Sequence, residues 1–141
     1  MVKLVLGAKG KGKTKYLLDN ANEEAKNSDG VVIYLDKNSK HMFELDKHIR
    51  LINVREYPIP DFEVLMGFIC GLISGNNDIE AIYFDSFLTL ANLEGADPSD
   101  AIDKLIVLAD RLKVDFIVSL SLDEDKLADP ARFKEYIALS L

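Results

Sequence analysis

The sequence predicts an α/β protein: a three-layer αβα sandwich with a mostly parallel central sheet of about five or six strands. One pattern predicts the fold class, and the length of the chain predicts the number of domains. Apolar runs of strand length alternate with amphipathic stretches of helix length along the chain, which is the pattern of repeated βαβ units. The chain has 141 residues without internal repeats or low-complexity tracts, so we expect residues 1–141 to form a single domain.

The first βαβ unit is predicted at the N-terminus. Val2–Leu6 is a short apolar run that ends at a glycine, which is typical of a buried strand leading into a loop. From Lys13 to about Ala25, apolar residues recur at helical spacing, and the turn-forming residues 27–30 end this helix. Val31–Leu35 is predicted as a second buried strand.

The middle of the chain predicts a less regular strand, a helix and a third buried strand. Ile49–Val54 is interrupted by polar residues, which indicates a short strand at an edge of the sheet. The Pro-Asp pair at 60–61 opens a strongly apolar helix, and Gly75 is placed to end it. Ile79–Phe84 is the next strand, and Asp85 follows it directly.

The last part of the chain predicts a helix, a strand and a less regular end. Asp97 is a candidate N-cap and Pro98 suits the first helical position, so a helix with one apolar face is expected to follow. Val114–Leu120 predicts a fifth strand. A short helix is expected near Pro130 and a final strand over Tyr136–Leu141.

Composition and charge bound the class of protein. Hydrophobic residues make up 48% of the chain and no apolar run has bilayer length, so we expect a soluble cytoplasmic protein with no export signal and no membrane partner. The net charge of −7 repels a phosphate backbone and argues against nucleic acid as an obligatory partner. The single cysteine, Cys70, has apolar neighbours, which predicts a buried thiol in a reducing compartment.

A segment rich in glycine and lysine lies between the first predicted strand and helix. Residues Gly7–Thr14 match G-x-x-x-x-G-K-[ST] at each fixed position, in the strand, loop and helix context that this phosphate-binding motif needs. Glycines let successive backbone N–H groups turn onto phosphate oxygens, and the helix N-terminus adds positive potential. A dinucleotide fingerprint would need a glycine at Lys15 and fits less well. The residues expected to bind the nucleotide are Gly7, Ala8, Lys9, Gly10, Lys11, Gly12, Lys13, Thr14 and Lys15.

Two positions of the motif have expected chemical roles. Lys13 is the expected catalytic lysine, with its charge on the β- and γ-phosphates of ATP or another NTP. The Thr14 hydroxyl is expected to bind Mg²⁺ together with a carboxylate at the end of a neighbouring strand. Asp85 is favoured for that carboxylate because it ends the apolar run AIYF, and Asp36, which also ends a strand, is the alternative.

These residues resemble the P-loop NTPase superfamily and, within it, the RecA-like branch. The resemblance rests on the phosphate loop and on Ile82–Ser86, where an apolar strand ends in Asp-Ser. It implies a compact ATP-binding domain of P-loop type, with a catalytic Glu after the second strand and a polar sensor residue on the strand beside the loop. Asn38 stands where that Glu is expected, and Ser119 or Ser121 corresponds to the sensor. An amide can orient water but cannot accept its proton as a carboxylate does.

The sequence therefore favours binding of ATP or another NTP with Mg²⁺, combined with hydrolysis that is weak or needs a partner. One alternative is an active ATPase or small-molecule phosphotransferase, with the acceptor near Asp36. Another is a regulatory or assembly subunit whose conformation depends on the nucleotide and which acts on a protein partner or a second copy of itself.

Overall fold

A six-stranded sheet forms the centre of the protein. The computed structural model describes residues 1–141, and its strands are β1 (Val2–Leu6), β2 (Val31–Asp36), β3 (Arg50–Asn53), β4 (Ile79–Phe84), β5 (Asp115–Leu120) and β6 (Ile137–Ser140). The strands lie in the order β3-β2-β4-β5-β1-β6, and every neighbouring pair is parallel. The predicted α/β class is therefore confirmed, with a sheet that is parallel throughout.

Four α-helices connect the strands. They are α1 (Lys13–Asn27), α2 (Phe62–Ser74), α3 (Phe87–Leu90) and α4 (Ser99–Leu112). Short 3₁₀ segments occupy Met42–Glu44, Val54–Glu56, Glu124–Lys126 and Pro130–Tyr136. None of the helices combines the length and the apolar character that crossing a membrane requires.

The helices cover both faces of the sheet. Helix α1 packs on one face through Leu17 and Ala21, both fully buried. Helices α2, α3 and α4 cover the other face, where a larger core includes Leu65, Ile102 and Leu105. Each fully buried leucine of this kind contributes about 1.5 to 3 kcal/mol of transfer free energy, so the two apolar layers hold the helices to the sheet. This arrangement is consistent with the predicted three-layer sandwich.

Several boundaries differ from the prediction by one or two residues. Helix α4 begins at Ser99, one residue after the predicted start, so Pro98 and not the predicted Asp97 is its N-cap residue; Asp97 lies one position earlier and accepts from the Ser99 amide (3.2 Å) and hydroxyl (2.8 Å). Strand β3 is shorter than the predicted run, and it lies at the sheet edge as expected. Helix α3 was not predicted, because a single helical turn is too short to show a period.

The prediction of a buried Cys70 is wrong, because the structure places this residue on the exposed side of α2. Its neighbour Ile69 is fully buried, and consecutive residues on a helix point about 100° apart. Helix α2 is so rich in apolar residues that its composition did not show which side faces water. Apolar neighbours in the sequence were therefore a poor guide to burial.

The parallel sheet places the carboxyl ends of all its strands at one edge. The loop after β1, Asp36 at the end of β2, Asp85 after β4 and Ser121 after β5 consequently share this edge. Ligands of open α/β sheets bind at this edge. The candidate functional site lies at this edge of the sheet.

Candidate functional site

The loop between β1 and α1 has a backbone that requires glycine at two positions. Gly10 and Gly12 have φ angles of 83° and 96°, a region that L-residues with a side chain adopt only under strain. The loop is anchored at both ends, since the Gly7 amide donates to the Leu122 carbonyl (2.9 Å) and the Tyr16 amide donates to the Gly12 carbonyl (3.2 Å). Gly12 directly precedes the first residue of α1, so the loop leads straight into the helix N-terminus.

The backbone amides of this loop are available to a ligand. The N–H groups of residues 8 to 15 donate no hydrogen bond to any backbone or side-chain acceptor of the protein. The first turn of α1 contains no acidic residue and has no side-chain cap. A helix N-terminus with free amides and no internal anion provides a binding site for an external anion.

Lys13 lies under the loop and holds it together. Its side chain is 7% exposed, and Nζ donates to the Gly7 carbonyl at 2.6 Å and to the Ala8 carbonyl at 3.0 Å. Burial lowers the pKa of Lys13, and the charges of Asp85 and Asp123 oppose that change. The structure therefore places a buried cation directly beneath the free amides.

Asp85 is the centre of a hydrogen-bonded group at the carboxyl edge of the sheet. This carboxylate is 3% exposed and accepts from the Thr14 hydroxyl at 3.2 Å, the Tyr34 hydroxyl at 2.7 Å and the Ser119 hydroxyl at 3.4 Å. Burial and the charge of Asp85 raise the pKa of Tyr34, so the phenol remains a donor. Thr14 and Asp85, which the sequence predicts as Mg²⁺ ligands, are thus brought together from positions 71 residues apart.

Thr14, Asp85 and residues of the β1–α1 loop line one polar pocket. Its volume is about 360 Å³, and none of its lining residues is hydrophobic. Two lysines predicted to bind phosphate, Lys11 and Lys15, lie outside this lining, and Lys15 pairs with Asp19 at 2.9 Å. The lining residues are Lys9, Gly10, Gly12, Lys13, Thr14, Lys37, Asp85, Ser86 and Ser121.

The two further catalytic candidates, Asp36 and Asn38, lie near the pocket but do not line it. Asp36 is 3% exposed; its Oδ1 accepts from the Lys37 amide at 2.7 Å, and its Oδ2 has no partner. Burial and the charge of Asp85 raise the pKa of Asp36 to about 6. The Asn38 side chain accepts from the Lys40 amide at 3.1 Å and so closes a local turn. Their catalytic roles stay predictions.

Sequence reasoning did not identify Lys37 and Tyr34 as site residues. Lys37 gives no signal in the sequence, because a single lysine after a strand matches no motif. Tyr34 belongs to a buried strand, where its hydroxyl reaches Asp85. A signal for Tyr34 was present, since a buried tyrosine needs a partner for its hydroxyl and the nearest strand end carries Asp85.

Comparison with known families and proteins adds no further assignment. No protein-family model matches the chain, and no curated protein matches its sequence. The resemblance to the P-loop NTPases therefore rests on residues 7–14 and 82–86 and stays a prediction. What the structure adds is the geometry around those residues.

Proposed function

We propose that the protein binds a nucleoside triphosphate, ATP or another NTP, together with Mg²⁺, at the loop between β1 and α1. The observation that supports this most strongly is the run of free amides at residues 8 to 15, closed from below by Lys13. A polyphosphate needs several N–H donors and a cation in one place, and this loop provides both. The chain as a whole has a charge of −7, so the lysines of this loop provide a local attraction against the overall charge.

Thr14 and Asp85 fit the requirements of Mg²⁺. This ion keeps several waters and is held by one or two oxygen groups of the protein in addition to substrate phosphates. The hydroxyl and the carboxylate lie 3.2 Å apart beside the phosphate loop, and the protein has no cluster of three His, Cys, Asp or Glu residues that could hold a metal by itself. When bound, Mg²⁺ neutralises phosphate charge. Tyr34 and Ser119 hold the Asp85 carboxylate in position by donating hydrogen bonds to it, and Thr14 donates to the same carboxylate.

Turnover by the isolated protein is proposed to be slow. Asp85 is the only carboxylate among the lining residues, and it already accepts four hydrogen bonds. A water molecule attacking a phosphate gains from a neighbouring base, and no other side chain in this lining is one. A partner protein or a second copy can supply the missing group.

Binding is tested by titrating ATP with Mg²⁺ in an isothermal calorimeter. Wild type is expected to bind, and Lys13→Ala is expected to lose roughly 10-fold or more in affinity, since hydrogen bonds to charged groups contribute about 1.5 to 3 kcal/mol. Lys15→Ala is the matched control, because it removes a lysine two residues away whose side chain pairs with Asp19 and keeps the backbone amide. The absence of any Lys13-dependent signal would refute the proposal.

Slow turnover is tested by measuring phosphate release from the isolated protein. The expected rate lies far below the roughly 1 s⁻¹ at the low end of typical enzymes. A rate within the typical range would overturn this part of the proposal and leave binding intact.

A second function, phosphoryl transfer to water or a small acceptor, is favoured by one observation. A smaller pocket of about 140 Å³ adjoins the phosphate pocket and shares Lys9, Ser86 and Ser121 with it. Thr89 and Glu94 line this second pocket, so a carboxylate lies beside the region where the terminal phosphate would sit. If Glu94→Gln lowers phosphate release while ATP affinity is unchanged, this function gains support; an unchanged rate removes it.

A further inference from the structure

Lys37 reaches the phosphate pocket from a different part of the sheet than the loop, since β2 is separated from β1 by β4 and β5. It directly follows β2, and its side chain reaches over the end of β4, where Nζ donates to the Ser86 hydroxyl at 3.3 Å. Together with Lys9 and Lys13, it lines the phosphate pocket. The pocket therefore has ammonium groups from two separate segments of the chain.

The Lys37 ammonium group forms no direct ion pair with a carboxylate of the protein; the charge of Asp36, whose Oδ1 accepts from the Lys37 amide, acts on it from beyond ion-pair distance. None of the ion pairs in the structure includes Lys37, and its one side-chain hydrogen bond goes to a neutral hydroxyl. Asp85 accepts from Thr14, Tyr34 and Ser119, and also from the Ser86 hydroxyl at 3.5 Å. Lys13 lines the same pocket from the loop side, so an anion between the two lysines would meet both ammonium groups.

Ser86 is held in a conformation that keeps its hydroxyl beneath Lys37. Its φ and ψ angles are 62° and 54°, the left-handed region that is costly for a residue with a side chain. Its amide donates to the Ser119 hydroxyl at 2.8 Å, which fixes this backbone in place. Strained backbone of this kind is common at ligand-binding positions, where the surrounding structure maintains it.

We infer that Lys37 is a second phosphate-binding lysine, which contacts the terminal phosphate and makes the site prefer a nucleoside triphosphate to the corresponding diphosphate. This inference rests on the proposed function, since it concerns the same pocket. The free amides and Lys13 surround the phosphate at the loop, whereas Lys37 comes from β2 on the far side of Asp85. A diphosphate is held by the loop alone and gains nothing from Lys37. No arginine lines the pocket, so Lys37 is the basic side chain available on that side.

The test compares two ligands, ADP and a non-hydrolysable ATP analogue, each with Mg²⁺. Lys37→Gln is expected to weaken binding of the triphosphate analogue by roughly 10-fold and to change ADP binding by less than about 2-fold, because one charge-assisted contact is lost for one ligand only. Lys37→Arg keeps the charge and is expected to retain the preference. Lys40→Gln is the matched control, since Lys40 is exposed, lies three residues away and does not line the pocket.

The outcomes separate this inference from the proposed function. Equal losses for both ligands in Lys37→Gln, or no loss for either while binding still depends on Lys13, overturn the role of Lys37 and leave the proposed function standing. Absence of Lys13-dependent binding of either ligand overturns both. Lys37→Gln is expected to unfold at the same temperature as wild type, because the Lys37 side chain makes one contact, with a neutral hydroxyl. An unchanged unfolding temperature shows that a loss of affinity is not due to misfolding.

Discussion

Replacing Asp36 by asparagine is expected to stabilise the fold at neutral pH. The carboxyl group is 3% exposed, and one of its oxygens has no hydrogen-bond partner. Burial, followed by the charge of Asp85, raises the pKa of Asp36 from 3.8 to about 6. At pH 7 the folded protein therefore contains a carboxylate in an environment that favours the protonated form.

The size of the effect follows from that pKa difference. A rise from 3.8 to about 6 corresponds to roughly 3 kcal/mol between the two protonation states. The Asp36→Asn change removes this charge and retains an oxygen for the Lys37 amide, but it leaves an N–H group unpaired where Oδ2 lies, which costs about 1 to 3 kcal/mol. We expect a net gain of up to about 2 kcal/mol in the free energy of unfolding at pH 7.

The same group predicts a pH dependence with a definite sign. The pKa of Asp36 is higher in the folded state, so its protonation stabilises the fold below pH 3.8, and this stabilisation is lost as the pH rises through about 6. Wild type therefore gains stability on acidification through this group, whereas Asp36→Asn does not. The advantage of the variant is expected to shrink by roughly 1 kcal/mol between pH 7 and pH 5.5.

Urea denaturation followed by circular dichroism at pH 7 and pH 5.5 measures both quantities. The lower pH stays above the sequence pI of about 4.8, which keeps a net charge on the protein. Asp29→Asn, at an exposed turn position, is the matched control and is expected to change stability by less than about 0.5 kcal/mol. A variant that is less stable than wild type at pH 7, or an advantage that does not shrink on acidification, would refute the reasoning about Asp36.

Three further predictions concern the support of the site and the helical layer. Ser119→Ala leaves the Ser86 amide without its acceptor, and calorimetric or urea unfolding is expected to show a loss of about 1 to 2 kcal/mol; an unchanged stability would mean that water replaces the hydroxyl. Leu105→Ala opens a cavity under α4 and is expected to cost about 3 kcal/mol in urea denaturation, whereas Val107→Ala, at a position 58% exposed, is expected to cost less than about 0.5 kcal/mol. Cys70 is expected to react with a thiol reagent equally fast in native and urea-unfolded protein, and strong protection in the native state would contradict its exposure.

The sequence predicted those parts of the site that are set by local pattern and by sheet geometry. The loop of residues 7–14 is a contiguous motif, so its conformation could be expected from its glycines, and Gly10 and Gly12 have positive φ angles. The meeting of Thr14 with Asp85 was also predictable, because parallel strands end at one edge of the sheet.

Side-chain direction at the strand ends was beyond the sequence. The Lys37 side chain contacts Ser86 at the pocket, whereas the Asn38 side chain bonds to its own loop. The two residues are adjacent after β2, and the sequence does not show which side chain points to the pocket. Asp36, at the end of the same strand, is a predicted candidate, but the sequence does not show that it is buried. Cys70 was misplaced for a related reason, since a helix that is apolar on most sides does not reveal its outer face.

The position of β1 in the sheet has a consequence for how the protein forms during synthesis. Strand β1 is translated first, yet both of its neighbours, β5 and β6, come from residues 115–140, and the Gly7 amide is held by Leu122. Contacts of such long sequence separation close late and slowly. The loop of residues 7–14 is therefore synthesised well before the segments that fix it in place, and we expect it to acquire its folded conformation only after residues 115–140 have joined the sheet.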